Sequence, residues 1–169
     1  MFIIFSVCFV SNVTGIEALK KDRLKLSSPV FEHNGAIPTK YTCDGVNVNP
    51  PVLIESVPAG TKSLALIVDD PDAPSGTWVH WVLWNIDPAM KEVKEASVPK
   101  GVQQGLNDFR QHDYRGPCPP SGTHRYFFRL YALDTTLTLH PDATKADLEK
   151  SMRGHIIDQA HITGLYRRK

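Results

Sequence analysis

Along the chain, apolar and polar positions trade places in short runs. Glycine and proline break those runs about every ten residues as far as residue 122, a rhythm that predicts β-strands joined by turns. The strongest run is "KSLALIVDD". Leu64, Leu66 and Val68 fall on one face, with Asp70 in register, and Ala65 and Ile67 on the other. Both faces are apolar, which predicts a central strand. "TWVHWVLWNI" and "HRYFFRLYAL" are further strands, rich in aromatic and β-branched residues. "KLSSPVF" predicts a first strand, and the turn-rich "IPTKYTCDGVNVNPPVLIESVP" ends in another. One segment has helical spacing. In "DATKADLEKSMRGHIIDQA", Thr144 is the expected N-cap, Asp147 follows three residues on, and Ala146, Leu148, Met152, Ile156 and Ala160 make an apolar stripe. Gly164 should end that pattern, with "LYRRK" as an edge strand. The expected class is mainly β, a sandwich-like domain with one helix near the C-terminus.

The first residues break the rhythm. "MFIIFSVCFVSNVTG" carries no charge and is too short for a membrane-spanning helix. It reads as the apolar part of a secretory signal peptide over residues 1–15, although no positive stretch precedes it; the other reading is an N-terminal strand of the fold. The single domain is then expected over residues 24–169. Its location follows from that choice: exported or periplasmic with a signal, cytoplasmic without one. Charge adds an exclusion. Lys plus Arg is 19 and Asp plus Glu is 18, a net +1, which offers no basic stripe for nucleic acid. No amphipathic helix rich in Lys and Arg suggests membrane insertion. Cys43 and Cys118 lie in turn-like surroundings and either form a disulfide, if the chain is exported, or remain separate thiols.

Three polar sites interrupt the strong strands. "DDPDAPSG" ends a hydrophobic strand with three carboxylates, and its prolines stiffen the turn. His80 sits inside "WVHWVLW", where strict alternation would put it on a face with Trp78, Val82 and Trp84. So apolar a setting obliges it to find a hydrogen-bond partner. "RGPCPPSGTHRYFF" places a stiff loop before His124 and Tyr126, which share a face, while Arg125, Phe127 and Arg129 point the other way. The few amides of that loop, from Gly116 to Thr123, suit an anion cradle. Asp70, His80 and His124 would also make a two-histidine, one-carboxylate metal set, but no His-x-His or HExxH spacing supports it, and no metal or cofactor is expected. No G-x-S-x-G turn presents a serine nucleophile.

"DDPDAPSGTWVHWVLWNI" followed by "GPCPPSGTHRYFFRLYALD" resembles the phosphatidylethanolamine-binding protein (PEBP) family, and within it the bacterial and archaeal Raf-kinase-inhibitor-like branch. The resemblance runs from about Leu26 to Tyr166. It implies a large central antiparallel sheet packed with a smaller sheet. It also implies a pocket for a small phosphate or carboxylate ligand such as phosphorylethanolamine. Carried over by motif, the ligand-binding residues would be Asp70, Asp72, His80, Gly116, Pro117, Gly122, His124 and Tyr126. His80 and His124 would donate to the anion, Asp70 would orient a histidine, and affinity would weaken as pH rises. A kinase or a protease is the expected protein partner, as a target of inhibition. The chain is expected not to be an enzyme; the alternative is a hydrolase or lyase using His80, His124 and Asp70 as acid–base groups.

Overall fold

The structure, a computed structural model, describes residues 23–168. The expected signal segment lies outside the described residues. Nine strands and one α-helix follow in chain order, besides a single 3-10 turn at Thr39–Tyr41: β1 Lys25–Ser27, β2 Gly35–Ala36, β3 Val52–Glu55, β4 Ser63–Asp70, β5 Trp78–Ile86, β6 Glu92–Val93, β7 Gln103–Gln104, β8 Thr123–Leu133, α1 Lys145–Met152 and β9 Ile156–Arg167. They form a six-stranded sheet in the order β2-β9-β8-β4-β5-β7 and a three-stranded sheet in the order β1-β3-β6. Apart from the parallel β2–β9 pair, neighbouring strands run antiparallel.

The two-faced apolar pattern of β4 explains the layering. Leu64, Leu66 and Val68 pack with Trp81, Leu83, Phe128 and Leu130 against Leu26, Val52, Ile54 and Val93 of the small sheet. Ala65 and Ile67, on the opposite face, join Val82, Trp84 and Leu133 beneath Leu148 and Met152 of α1. With apolar side chains buried on both faces, β4 sits between β5 and β8 as the pattern predicts. The sequence expectation of a mainly β fold with two sheets and one helix near the C-terminus holds.

The C-terminal expectation needs correction. Thr144 caps α1 through a full capping box with Asp147, but the helix ends at Met152. Gly154 then turns the chain at φ 79°, and "IIDQAHITGLYR" is the twelve-residue β9, not more helix. Nor is it an edge strand: β9 pairs along β8 and holds β2 on its other side. The β-branched Ile156, Ile157, Ile162 and Thr163 favour the extended backbone, and the β8 ladder satisfies it.

Candidate functional site

β4 and β5 part ways at His80. Val68 pairs with Trp81 and Asp69 with Val79, so His80 is the extra residue of a β-bulge. The bulge breaks the alternation. His80 does not share a face with Val82 and Trp84, which turn to the helix side; it lines a pocket with Trp78 instead. The displaced backbone is held from outside the sheet. The His80 carbonyl accepts from the Arg115 amide at 3.1 Å and from Asn107 Nδ2 at 3.3 Å. The ring closes the same clasp, with Nδ1 2.5 Å from the Arg115 carbonyl. A carbonyl can only accept, so Nδ1 carries the proton and Nε2, which has no protein partner, presents a lone pair when the ring is neutral. Burial lowers the pKa of His80 from its ordinary 6.5, with the Arg115 carbonyl and the charge of Asp70 opposing more weakly. The expectation that His80 donates to an anion is therefore revised: near neutral pH its free nitrogen accepts.

Asp70 ends β4 on the same side. It is 3% exposed, yet both its oxygens are used. Oδ1 accepts the Asp72 amide at 2.8 Å, closing the Asp-Pro turn, and Oδ2 accepts from His124 Nδ1 at 2.7 Å. His124 is thereby fixed in orientation, with Nε2 left over. Tyr126, two residues along β8, lies between the two histidines, its ring centroid 5.3 Å from that of His80 and 6.5 Å from that of His124. Its fully buried hydroxyl lies near the Asp70 carboxylate and the Cys118 backbone but meets neither with good hydrogen-bond geometry, which makes it the one buried side-chain polar atom among the described residues left without a well-formed partner. Burial, and then the charge of Asp70, push that phenol well above its ordinary pKa, so it remains a donor. An orphaned buried donor beside two free ring nitrogens is the signature of a site that a ligand or water completes.

The two histidines and Asp70 meet at a cavity of about 280 Å³, and Tyr126 is buried behind them, outside the lining. Asp70, His80 and His124 line it, with Trp78 and Phe109 as aromatic walls, Ala73, Pro74 and Ser75 on one rim and Cys118, Pro119 and Pro120 on the other. The remaining motif residues sit elsewhere. Asp72 faces away, clamped by Arg125 through Nε at 2.9 Å and Nη2 at 2.6 Å; that hydrogen-bonded guanidinium holds its carboxyl down at about 2. Gly116 and Pro117 lie behind the rim. The Gly116 amide is spent on Asn47 Oδ1 at 2.7 Å, and a Cβ there would strike the Tyr41 carbonyl, so the glycine serves a close backbone approach and not an anion cradle. Gly122, at φ 68°, turns the loop into β8 outside the lining. The two proline-bearing segments expected beside the site form its rims, whereas Phe109 escaped the sequence reading because nothing in a loop's pattern tells which way it folds over a strand end.

A Cys43–Cys118 disulfide, Cα–Cα 5.4 Å, ties the rim to the loop before β3, and the Cys43 amide donates to the Pro117 carbonyl at 3.1 Å. A larger cavity, about 810 Å³, lies between β2 and the end of β9. Its carboxylate, Asp44, is already paired with Tyr166 and Arg168. The smaller cavity is the candidate site. Among the described residues no three His, Cys, Asp or Glu side chains gather as a metal-binding group, and no helix is long and apolar enough to cross a membrane.

Comparison with known proteins agrees with the motifs. The family model for phosphatidylethanolamine-binding protein matches residues 27–167. A UPF0098 protein of Methanothermobacter thermautotrophicus is 52% identical over 150 residues, which span 86% of this chain and 99% of that one. A UPF0098 protein of Pyrococcus horikoshii is 50% identical over 158 residues, 89% of this chain and 79% of that one. Among solved structures, a phosphatidylethanolamine-binding protein homologue from Chlamydia trachomatis superposes with a TM-score of 0.84 at 39% identity, covering 87% of this chain and 99% of that one. Escherichia coli YbcL, described as a member of the mammalian PEBP family, gives 0.82 at 30%, covering 88% and 100%.

Proposed function

The chain belongs to the phosphatidylethanolamine-binding protein family, and from that premise we propose that it binds a small phosphate- or carboxylate-bearing ligand in the Asp70–His80–His124 pocket without turning it over. The observation that carries this reading is the set of three ready but unpartnered polar atoms: Nε2 of His80, Nε2 of His124 and the Tyr126 hydroxyl. Each is held in place by packing or by a second bond on its far side, so little ordering remains to be done when a ligand arrives. The aromatic walls and proline rims exclude water and suit a ligand with a short apolar or cationic extension beyond its anionic group.

Asp70 and His124 together have the form of an acid–base pair, but the pocket supplies it no nucleophile. Ser75 is the sole hydroxyl among the lining residues, and it makes no hydrogen bond with His124. That absence favours binding over hydrolysis.

Calorimetric titration with inorganic phosphate and with phosphorylethanolamine, beside His124→Ala, tests the reading. Saturable heat in the parent, reduced at least about tenfold in affinity in the variant, is expected. A parent that binds neither compound, or one that releases phosphate from phosphorylethanolamine at a steady rate, overturns it.

A further inference from the structure

The pocket is unusual for an anion site in what it lacks. No lysine or arginine is among its lining residues. The nearby guanidiniums are turned outward, Arg115 to Asp113 at 2.9 Å and Arg125 to Asp72. The sole carboxylate in the lining, Asp70, is negative toward any anion. His80 adds no compensating proton at its free nitrogen, because the Arg115 carbonyl has fixed the proton on Nδ1. A fully deprotonated anion would thus meet a lone pair at His80 and a carboxylate behind His124. Among the lining side chains it would find neutral donors only at the Ser75 hydroxyl and the Trp78 indole, a charged one only at His124 when that ring is protonated, and the Tyr126 hydroxyl behind them. A ligand that brings its own proton turns the His80 lone pair from a repulsive neighbour into a partner.

We propose that His80 is a specificity residue that selects oxyanions still carrying one hydroxyl, a phosphomonoester or phosphate monoanion, by accepting their P–OH at Nε2, and rejects fully deprotonated anions such as sulfate. This inference rests on the anion-binding reading of the pocket and narrows it to the phosphate side, since a carboxylate near neutral pH has no proton to give. Discrimination of this kind is steep, because the wrong anion leaves a buried acceptor unpaired and adds like-charge repulsion. The groups around His80 pull in opposite senses. The charges of Asp70 and Asp69 from β4 and of Asp108 from the loop after β7, with the Arg115 carbonyl, favour a protonated ring, and burial outweighs them. Tyr126 and Phe109 pack against the ring in T-shaped, edge-to-face contacts and keep out the water an imidazolium would need. Burial is the largest influence on the ring and keeps it neutral.

The expected pH dependence has the sign already anticipated from the sequence but a different origin. A phosphomonoester loses its second proton with a pKa of about 6, so the bindable species disappears as pH rises through that value. The ligand titrates, and the His80 ring need not.

The test uses the full chain and four probes at about pH 6, where phosphomonoesters still carry the proton in good part: inorganic phosphate, methyl phosphate, dimethyl phosphate and sulfate. Sulfate matches phosphate in size and shape but has no proton to give; dimethyl phosphate matches the monoanion in charge but has no hydroxyl. Phosphate and methyl phosphate should bind, with sulfate and dimethyl phosphate each at least about tenfold weaker. Sulfate within about twofold of phosphate overturns the selection while leaving the anion reading intact. Nitrogen-15 spectra of the ligand-free chain supply an independent arm, since the His80 ring should show a protonated Nδ1 and a bare Nε2. A proton on Nε2 overturns the proposal whatever binds. A chain that binds none of the four probes removes the anion reading, and the selection with it.

Discussion

Asp69 and Asp70 are neighbours on one strand, both carboxylates and both nearly inaccessible, at 1% and 3% exposure. Their roles part because a strand sends successive side chains to opposite faces. Asp69 turns toward α1, where Lys145 Nζ sits at 2.8 Å and Arg129 Nε at 3.3 Å. Two permanent cations enclose it, and the cluster ties helix to sheet with nothing left to offer. Asp70 turns toward the pocket and meets a titratable ring and a backbone amide. Its bond orients His124 and leaves that ring's far nitrogen free. Burial and charge are shared by the two residues and do not distinguish a site from a staple. What distinguishes them is whether the partner has an unused polar atom facing a cavity.

That contrast can be broken from either side. The largest effect should come from the strap beside Asp70's pocket. Cys43 and Cys118 are 75 residues apart, so replacing both by serine should cost on the order of 4 kcal/mol of unfolding free energy by the chain-entropy account. The same double variant should bind phosphate more weakly, since Cys118 lines the pocket and the strapped segment also carries the Arg115 carbonyl. Urea unfolding and calorimetry on one preparation read both, and an unchanged affinity would show that the rim is stiff without its strap.

Next in size is the Asp69 cluster. Asp69→Asn should lose about 2 kcal/mol, less than the loss from a fully buried pair because Lys145 and Arg129 can reach solvent, while phosphate affinity stays within about twofold. Asp70→Asn should do the reverse, about 1 kcal/mol in stability and at least about tenfold in affinity. If both variants shift the same property, the division of labour between the two faces is wrong.

The smallest effect is the acid limb of stability. The folded-state pKa of Asp72 is lowered from 3.8 to about 2 by Arg125, so its contribution is complete above 3.8 and fades as pH falls toward 2. His80 is also lowered, from 6.5, so the unfolded chain takes up a proton first and stability declines as pH falls below 6.5. Melting temperatures across this range should fall in two stages, and Asp72→Asn should flatten only the more acidic one.

Much of this arrangement was legible before any coordinates. The two-faced apolar run of β4, the shared face of His124 and Tyr126 and the opposed Arg125 all follow from strict alternation, which those strands obey. His80 was found as a residue but misplaced in its face, because a bulge inserts one position and "WVHWVLW" is apolar throughout, so no polar marker reveals the slip. Residues 156–160 were misread as helix because Ile156 and Ala160 also fit a helical spacing; the pairing with β8, which decides the matter, is a long-range fact. Asp72 was recognised as part of a motif, but its engagement with Arg125 depends on how the turn lies across the end of β8. The free nitrogens at the heart of the site are a matter of which ring atom meets which oxygen, and composition holds no record of that.

The placement of β9 bears on how the molecule is made. The last described strand, β9, lies inside the large sheet, with β8 on one side and the early β2 on the other, Gly35 opposite Gly164. While the chain emerges from the ribosome, β2 has no strand to join and β8 exposes an unpaired edge until β9 is free. The sheet therefore closes only once β9 has been made, through contacts between segments more than a hundred residues apart, and that long-range closure should make it a slow folder for its size.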